Sequence, residues 1–115
     1  MPRPLADALQ HIIDNIDLIN RYTASVSEAD MLSNRMLADA VERCIERISE
    51  ASPSIPDAVK ASYPAEPWRD IATIGNVLRH IYDVVDGRII WRLVTHDLPS
   101  LRHTVETISA SLPKP

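Results

Sequence analysis

Arg79, His80 and Tyr82 bring a cation, a titratable imidazole and a phenol within one turn of a single stretch of chain. Such a set can grip a phosphate, move a proton and accept a covalent modification. The stretch from Trp68 to Tyr82 reads as helix, and at about 100° per residue Asn76 and His80 share one face while Gly75 and Arg79 share another. Glycine inside a helix costs about 1 kcal/mol relative to alanine, so Gly75 marks a tolerated irregularity or a close approach by another backbone or ligand. A plainer reading is also available: Arg79 and His80 near a helix C-terminus complement the helix dipole without doing chemistry.

Other chemistry is less well supplied. His11, His80, His96 and His103 never fall three or four residues apart, and no cysteine accompanies them at ligand spacing, so no metal centre is expected. Asp39, Glu42, Glu46 and Glu50 line a helical face and could hold a divalent ion, but Arg43 and Arg47 lie beside them, and Asp39 to Arg43 is a favourable i, i+4 pair. A solvated stripe is the expectation. No glycine-rich phosphate loop and no Ser-His-Asp arrangement can be picked out by spacing. Trp68 and Trp91 read as core or dimer packing rather than as base-stacking platforms.

The elements that must position the cluster follow from composition and periodicity. At 115 residues the chain suits one domain over 1–115; it is 45% hydrophobic with no Phe and only two Gly, which favours long helices over strands. Leu5, Leu9, Ile12, Ile16 and Ile19 define a first helix over about 4–23. Ser25 with Glu28, or Ser27 with Asp30, caps a second over about 27–51, whose stripe is Leu37, Val41, Cys44 and Ile48. Pro53, Pro56, Pro64 and Pro67 punctuate a connector over 52–66 in which Asp57 to Ser62 is at most a short helix. Pro67 suits the first turn of the motif helix, over about 67–82, which buries Trp68, Ile71, Ile74 and Leu78. Asp86-Gly87 makes a turn, and the final helix is kinked or restarted by Pro99. The expected architecture is an all-α, up-down bundle of four or five helices.

The net charge of −4 is uneven, with six basic against ten acidic residues over 1–65 and six of each over 66–115. That argues against a generic nucleic-acid coat, though not against an RNA contact confined to a small site. Cys44 is alone, which suits core packing and a reducing compartment. No stretch approaches the roughly 18 apolar residues of a membrane span, so the expectation is a soluble cytoplasmic protein.

The chain resembles the HepT-like toxins of the HEPN superfamily, small all-helical prokaryotic proteins encoded beside a minimal nucleotidyltransferase antitoxin. The resemblance covers nearly the whole chain. It runs through Ile48-Ser49-Glu50-Ala51, Pro67-Trp68-Arg69-Asp70-Ile71, the Asn76 to Tyr82 segment, and Ile90-Trp91 followed by His96-Asp97-Leu98-Pro99. The family pattern is Arg, four to six intervening residues, His, any residue, Tyr. Asn76, His80 and Tyr82 match it, but the three places for the Arg are Thr73, Ile74 and Gly75, leaving Arg79 as the displaced candidate.

The resemblance implies cleavage of RNA without metal or other cofactor, at a composite site where the motif helices of two subunits meet in an isologous homodimer. His80, with the usual imidazole pKa of about 6.5, would be general base or acid, and Arg79 would stabilise charge on the scissile phosphate, one of the two supplied in trans. Asn76 would support them. The antitoxin would transfer AMP to Tyr82, placing an anion at the mouth of the site. Two alternatives stand beside this: a non-catalytic HEPN-like dimer that binds nucleotide, RNA or the antitoxin without cleavage, and a structural adaptor using the acidic stripe of the second helix.

Overall fold

Leu9, Ile12, Ile16 and Ile19 are spaced by three and four residues, and all four are fully buried in α1, which spans Leu5–Thr23. The computed structural model describes residues 4–81 and 87–113. After α1 come α2 (Glu28–Ser33), α3 (Arg35–Ala51), a 3-10 turn (Ser52–Ser54), α4 (Asp57–Ala61), α5 (Trp68–Ile81), α6 (Gly87–Arg92), a π turn (Leu93–Asp97) and α7 (Leu98–Ser111). Among the described residues all regular structure is helical, and the protein is the all-α bundle that the periodicity predicts.

The second helix expected over about 27–51 is two helices. Asn34 breaks it: its backbone is extended (φ −110°, ψ 96°), its side chain accepts from the Leu37 N–H at 3.1 Å, and its own N–H closes α2 on the Asp30 carbonyl. An asparagine side chain competes with the helical hydrogen-bond ladder and is favoured at caps, which the apolar stripe alone does not reveal. Of the two proposed caps for α2, Ser27 with Asp30 forms the reciprocal box, with bonds of 3.2 and 3.0 Å.

The core is continuous. It joins α1 and α3 to α7 through Val41, Cys44, Ile48, Leu101, Val105 and Ile108, with Leu78 of α5 and Ile90 of α6 sealing it. Cys44 is buried as expected, and burial pushes its thiol pKa up. On the surface Arg102 of α7 bridges to Asp17 of α1 at 2.9 Å.

Pro99 restarts the last helix through the π turn. Proline has no N–H, and its ring crowds the carbonyl four residues back, so the preceding turn widens. Leu98 N–H then bonds the Leu93 carbonyl, five residues back, and Thr95 Oγ1 donates to the Trp91 carbonyl at 2.8 Å.

Candidate functional site at the end of α5

Ser49 and Gly75 set the position of α5. The Ser49 hydroxyl donates to the Ala72 carbonyl at 2.8 Å and accepts from the Gly75 N–H at 3.3 Å. A Cβ on Gly75 would meet the Ser49 Cβ at 3.0 Å and the Glu46 Cα at 3.2 Å. The missing side chain therefore lets the backbones of α3 and α5 come together, which is the close approach by another backbone that the sequence suggests. An arginine at 75 would have to displace α3.

At its start, α5 is anchored by Trp68, whose indole N–H donates to the Tyr63 carbonyl at 3.0 Å, and by Glu66. Glu66 is buried, and its Oε1 accepts from the hydroxyls of Ser100 and Thr104, both at 2.7 Å, tying the connector to α7. Pro67 stands just before the first helical residue and supplies the carbonyl that Ile71 N–H bonds at 3.0 Å.

Asn76 is exposed on α5, and Arg79 and His80 occupy its last turn. The side chains of Arg79 and His80, and Tyr82 altogether, lie outside the described residues. Thr73 is exposed, Ile74 half-buried and Gly75 buried, so of the three places open to the family arginine only position 73 faces solvent freely. Just beyond the motif the chain returns at Gly87, which packs on the backbone of Met31 and Leu32 in α2. Among the described residues the exposed large apolar side chains are Tyr22, Leu32 and Met36, the last 79% exposed, and all three belong to α2 or the helix ends beside it.

The acidic stripe of α3 is largely ion-paired, but not as expected. Asp39 pairs with Arg35 at 3.0 Å instead of Arg43, which turns to Glu46 at 3.2 Å and Glu50 at 3.8 Å. Packing of α5 over Glu46 leaves that side chain only 13% exposed. Burial, followed by repulsion from Glu46 and Asp39, raises the pKa of Glu42. Among the described residues no three His, Cys, Asp or Glu side chains converge to hold a metal.

Two depressions flank the π turn. One, of about 410 Å³, lies between α3, the start of α5 and α7, and its apolar wall includes Ile45, Ile71 and Leu101. The other is a shallow cleft lined by Arg88, Trp91, Arg92, Thr95 and His96, with Glu28 and Asp97 also on its wall. No sequence motif pointed to this cleft. Its signal was present nonetheless: Arg88, Arg92 and His96 recur every four residues, and no acid occurs from Gly87 to His96.

A sequence model described as "Ribonuclease HepT-like" matches residues 12–108. The chain belongs to the HepT-like ribonuclease family. This HepT-like chain is 37% identical over 108 residues to "Probable ribonuclease HepT" of Thermococcus cleftensis, covering 94% of itself and 98% of that relative. It is 35% identical over 106 residues to a protein of Methanocaldococcus jannaschii named as gamma-glutamylcyclotransferase and candidate RNase, covering 92% of itself and 48% of that longer protein. It is also 30% identical over 107 residues to a candidate RNase of Caldanaerobacter subterraneus, covering 93% of each chain. No solved structure matches it. None of the helices among the described residues is long and apolar enough to cross a membrane.

Proposed function

We propose that this HepT-like protein is a metal-independent endoribonuclease, the toxin of a toxin-antitoxin pair, working as one domain in a homodimer. The observation that carries this reading is a family match over most of the chain, with Arg79 and His80 on the last turn of a helix fixed by Ser49 and Gly75. His80 accepts the proton of a ribose 2′-OH as O2′ bonds to phosphorus. The P–O5′ bond breaks, a protonated group returns a proton to the leaving oxygen, and the products are a 2′,3′-cyclic phosphate and a 5′-hydroxyl. Arg79 stabilises the charge developing on the phosphate, with Asn76 holding the neighbouring polar surface. One of Arg79 and His80 comes from the second subunit, since neighbouring helical residues leave the axis about 100° apart. The exposed Leu32 and Met36 at the α2 end support association through this region.

Tyr82 is the acceptor of AMP from a nucleotidyltransferase antitoxin; the added phosphate fills the cationic pocket and repels RNA. The test is cleavage of a mixed RNA in EDTA by wild type and His80→Ala, with the dimer confirmed by light scattering. Cleavage by wild type alone is expected. Equal cleavage by both proteins removes His80 from the mechanism.

A second reading is favoured by the absence of arginine from positions 73 to 75: a dimer that binds RNA, nucleotide or antitoxin without hydrolysis. No cleavage by a folded, unmodified wild-type dimer would establish it.

A further inference from the structure

We infer that the exposed surface formed by Arg88, Trp91, Arg92, Thr95 and His96 is a single-stranded RNA contact. The inference deepens the RNA-directed reading above and rests on it for the choice of polymer.

Four observations support it. First, the segment that supplies most of this surface is basic for an acidic chain: from Gly87 to His96 there are two arginines, one histidine and no acid, within a protein of net charge −4. A polyanion of any length needs such a stripe. Second, Arg88 and Arg92 stand one helical turn apart on one face and both line the cleft, where the Arg92 guanidinium can address a phosphate of the strand. Arg92 is exposed and makes no hydrogen bond or ion pair with any described residue.

Third, the two tryptophans differ. The indole N–H of Trp68 is bonded to the Tyr63 carbonyl, whereas Trp91 packs against the core, is half-buried, and its indole N–H finds no hydrogen-bond partner among the described residues. A half-buried ring beside arginines on one cleft is an arrangement by which proteins stack a base while neutralising its backbone. Core packing, the reading its sequence position suggests, accounts for part of the ring only. Fourth, Glu28 and Asp97 also line the cleft. Carboxylates repel a bare phosphate, but they accept from exocyclic amines and from ribose 2′-OH groups, so the combined set suits a nucleotide better than a simple anion. The π turn then swings Thr95 and His96 onto the same cleft, as an irregular helix does at many binding surfaces.

The test is fluorescence anisotropy of the full-length dimer with a labelled single-stranded 2′-O-methyl RNA, which lacks the attacking hydroxyl and survives the titration. Arg92→Ala is expected to weaken binding about tenfold and to lower the salt slope by about 0.7, the value for one phosphate contact on a single strand. Trp91→Leu is expected to weaken binding about tenfold through lost stacking. Binding by both variants at wild-type strength, or no binding by the wild type, overturns the inference. Loss with Arg92→Ala while Trp91→Leu binds normally reduces the ridge to a plain anion patch and also overturns it. Should Trp91→Leu fail to fold, Trp91→Phe replaces it, since phenylalanine keeps a stacking face and is expected to bind within about threefold of wild type, against the tenfold loss of Arg92→Ala. Cleavage of ordinary RNA is measured in parallel. Ridge-dependent binding by a protein that cleaves nothing leaves this inference standing and removes only the catalytic reading, while cleavage with ridge-independent binding does the reverse.

Discussion

Ser49 and Gly75 are joined across the α3–α5 interface by the Ser49 hydroxyl, which accepts the Gly75 N–H at 3.3 Å while donating to the Ala72 carbonyl at 2.8 Å. The glycine is where it is because α3 occupies the volume its side chain would need. Position 75 is therefore fixed by packing, and a motif arginine there is incompatible with this approach of the two helices.

Gly75→Arg consequently measures packing, not chemistry. It is expected to lower thermal stability substantially, and Gly75→Ala by about 1–2 kcal/mol, because overpacking exceeds the gain of about 1 kcal/mol in helix propensity. Thermal denaturation followed by circular dichroism checks this, and a stabilised Gly75→Ala would contradict it. Ser49→Ala should cost about 1–2 kcal/mol in the same assay, through the two lost hydrogen bonds.

Thr73 is exposed and within the family spacing, so Thr73→Arg is the clean way to restore the pattern. If Arg79 serves as the phosphate-binding cation, Arg79→Ala should reduce kcat/KM for RNA about 10²-fold or more. Thr73→Arg in that background should recover part of the loss at unchanged melting temperature. Failure of Arg79→Ala to slow cleavage would assign the role to another cation.

Glu66 holds the connector before α5 to α7 through Ser100 and Thr104. Glu66→Ala strands two hydroxyls and should destabilise by about 2 kcal/mol, with Glu66→Gln much milder because an acceptor oxygen remains. Urea denaturation at fixed pH distinguishes them.

Glu42 has its pKa raised by burial first and by Glu46 and Asp39 next. For a carboxyl whose folded pKa exceeds its unfolded value, the native state holds more protons in the intervening window, so stability falls as pH rises through it. The penalty is complete above the folded pKa and absent below the ordinary Glu value of about 4.3. Glu42→Gln should therefore raise the melting temperature at pH 7, with the advantage fading as the pH approaches 4. An advantage that grows on acidification would show that another group is responsible.

Much of the bundle was legible in the chain because burial is periodic. The stripe in α1, the capping box at Ser27, the short α4 among prolines and the restart at Pro99 all follow from local rules that act within a few residues. Asn34 was missed because an apolar stripe can run through a cap: Leu37, Val41 and Cys44 continue the pattern set by Met31 whether or not the backbone between them is helical. The Asp39–Arg43 pair failed for a different reason. Surface partners i, i+4 are nearly isoenergetic, and Glu46, covered by α5, takes Arg43.

By itself the sequence determined the helical class and the family, and it put the candidate residues Asn76, Arg79 and His80 toward the end of α5, because residue type and spacing along one helix are local properties. Only the tertiary structure decided why position 75 is glycine, and that Glu66 reaches α7. It also decided that Arg88, Trp91, Arg92 and His96 share a cleft with Glu28. Each of these depends on contacts between segments tens of residues apart, whose geometry is set by how the helices pack and by the π turn that Pro99 imposes.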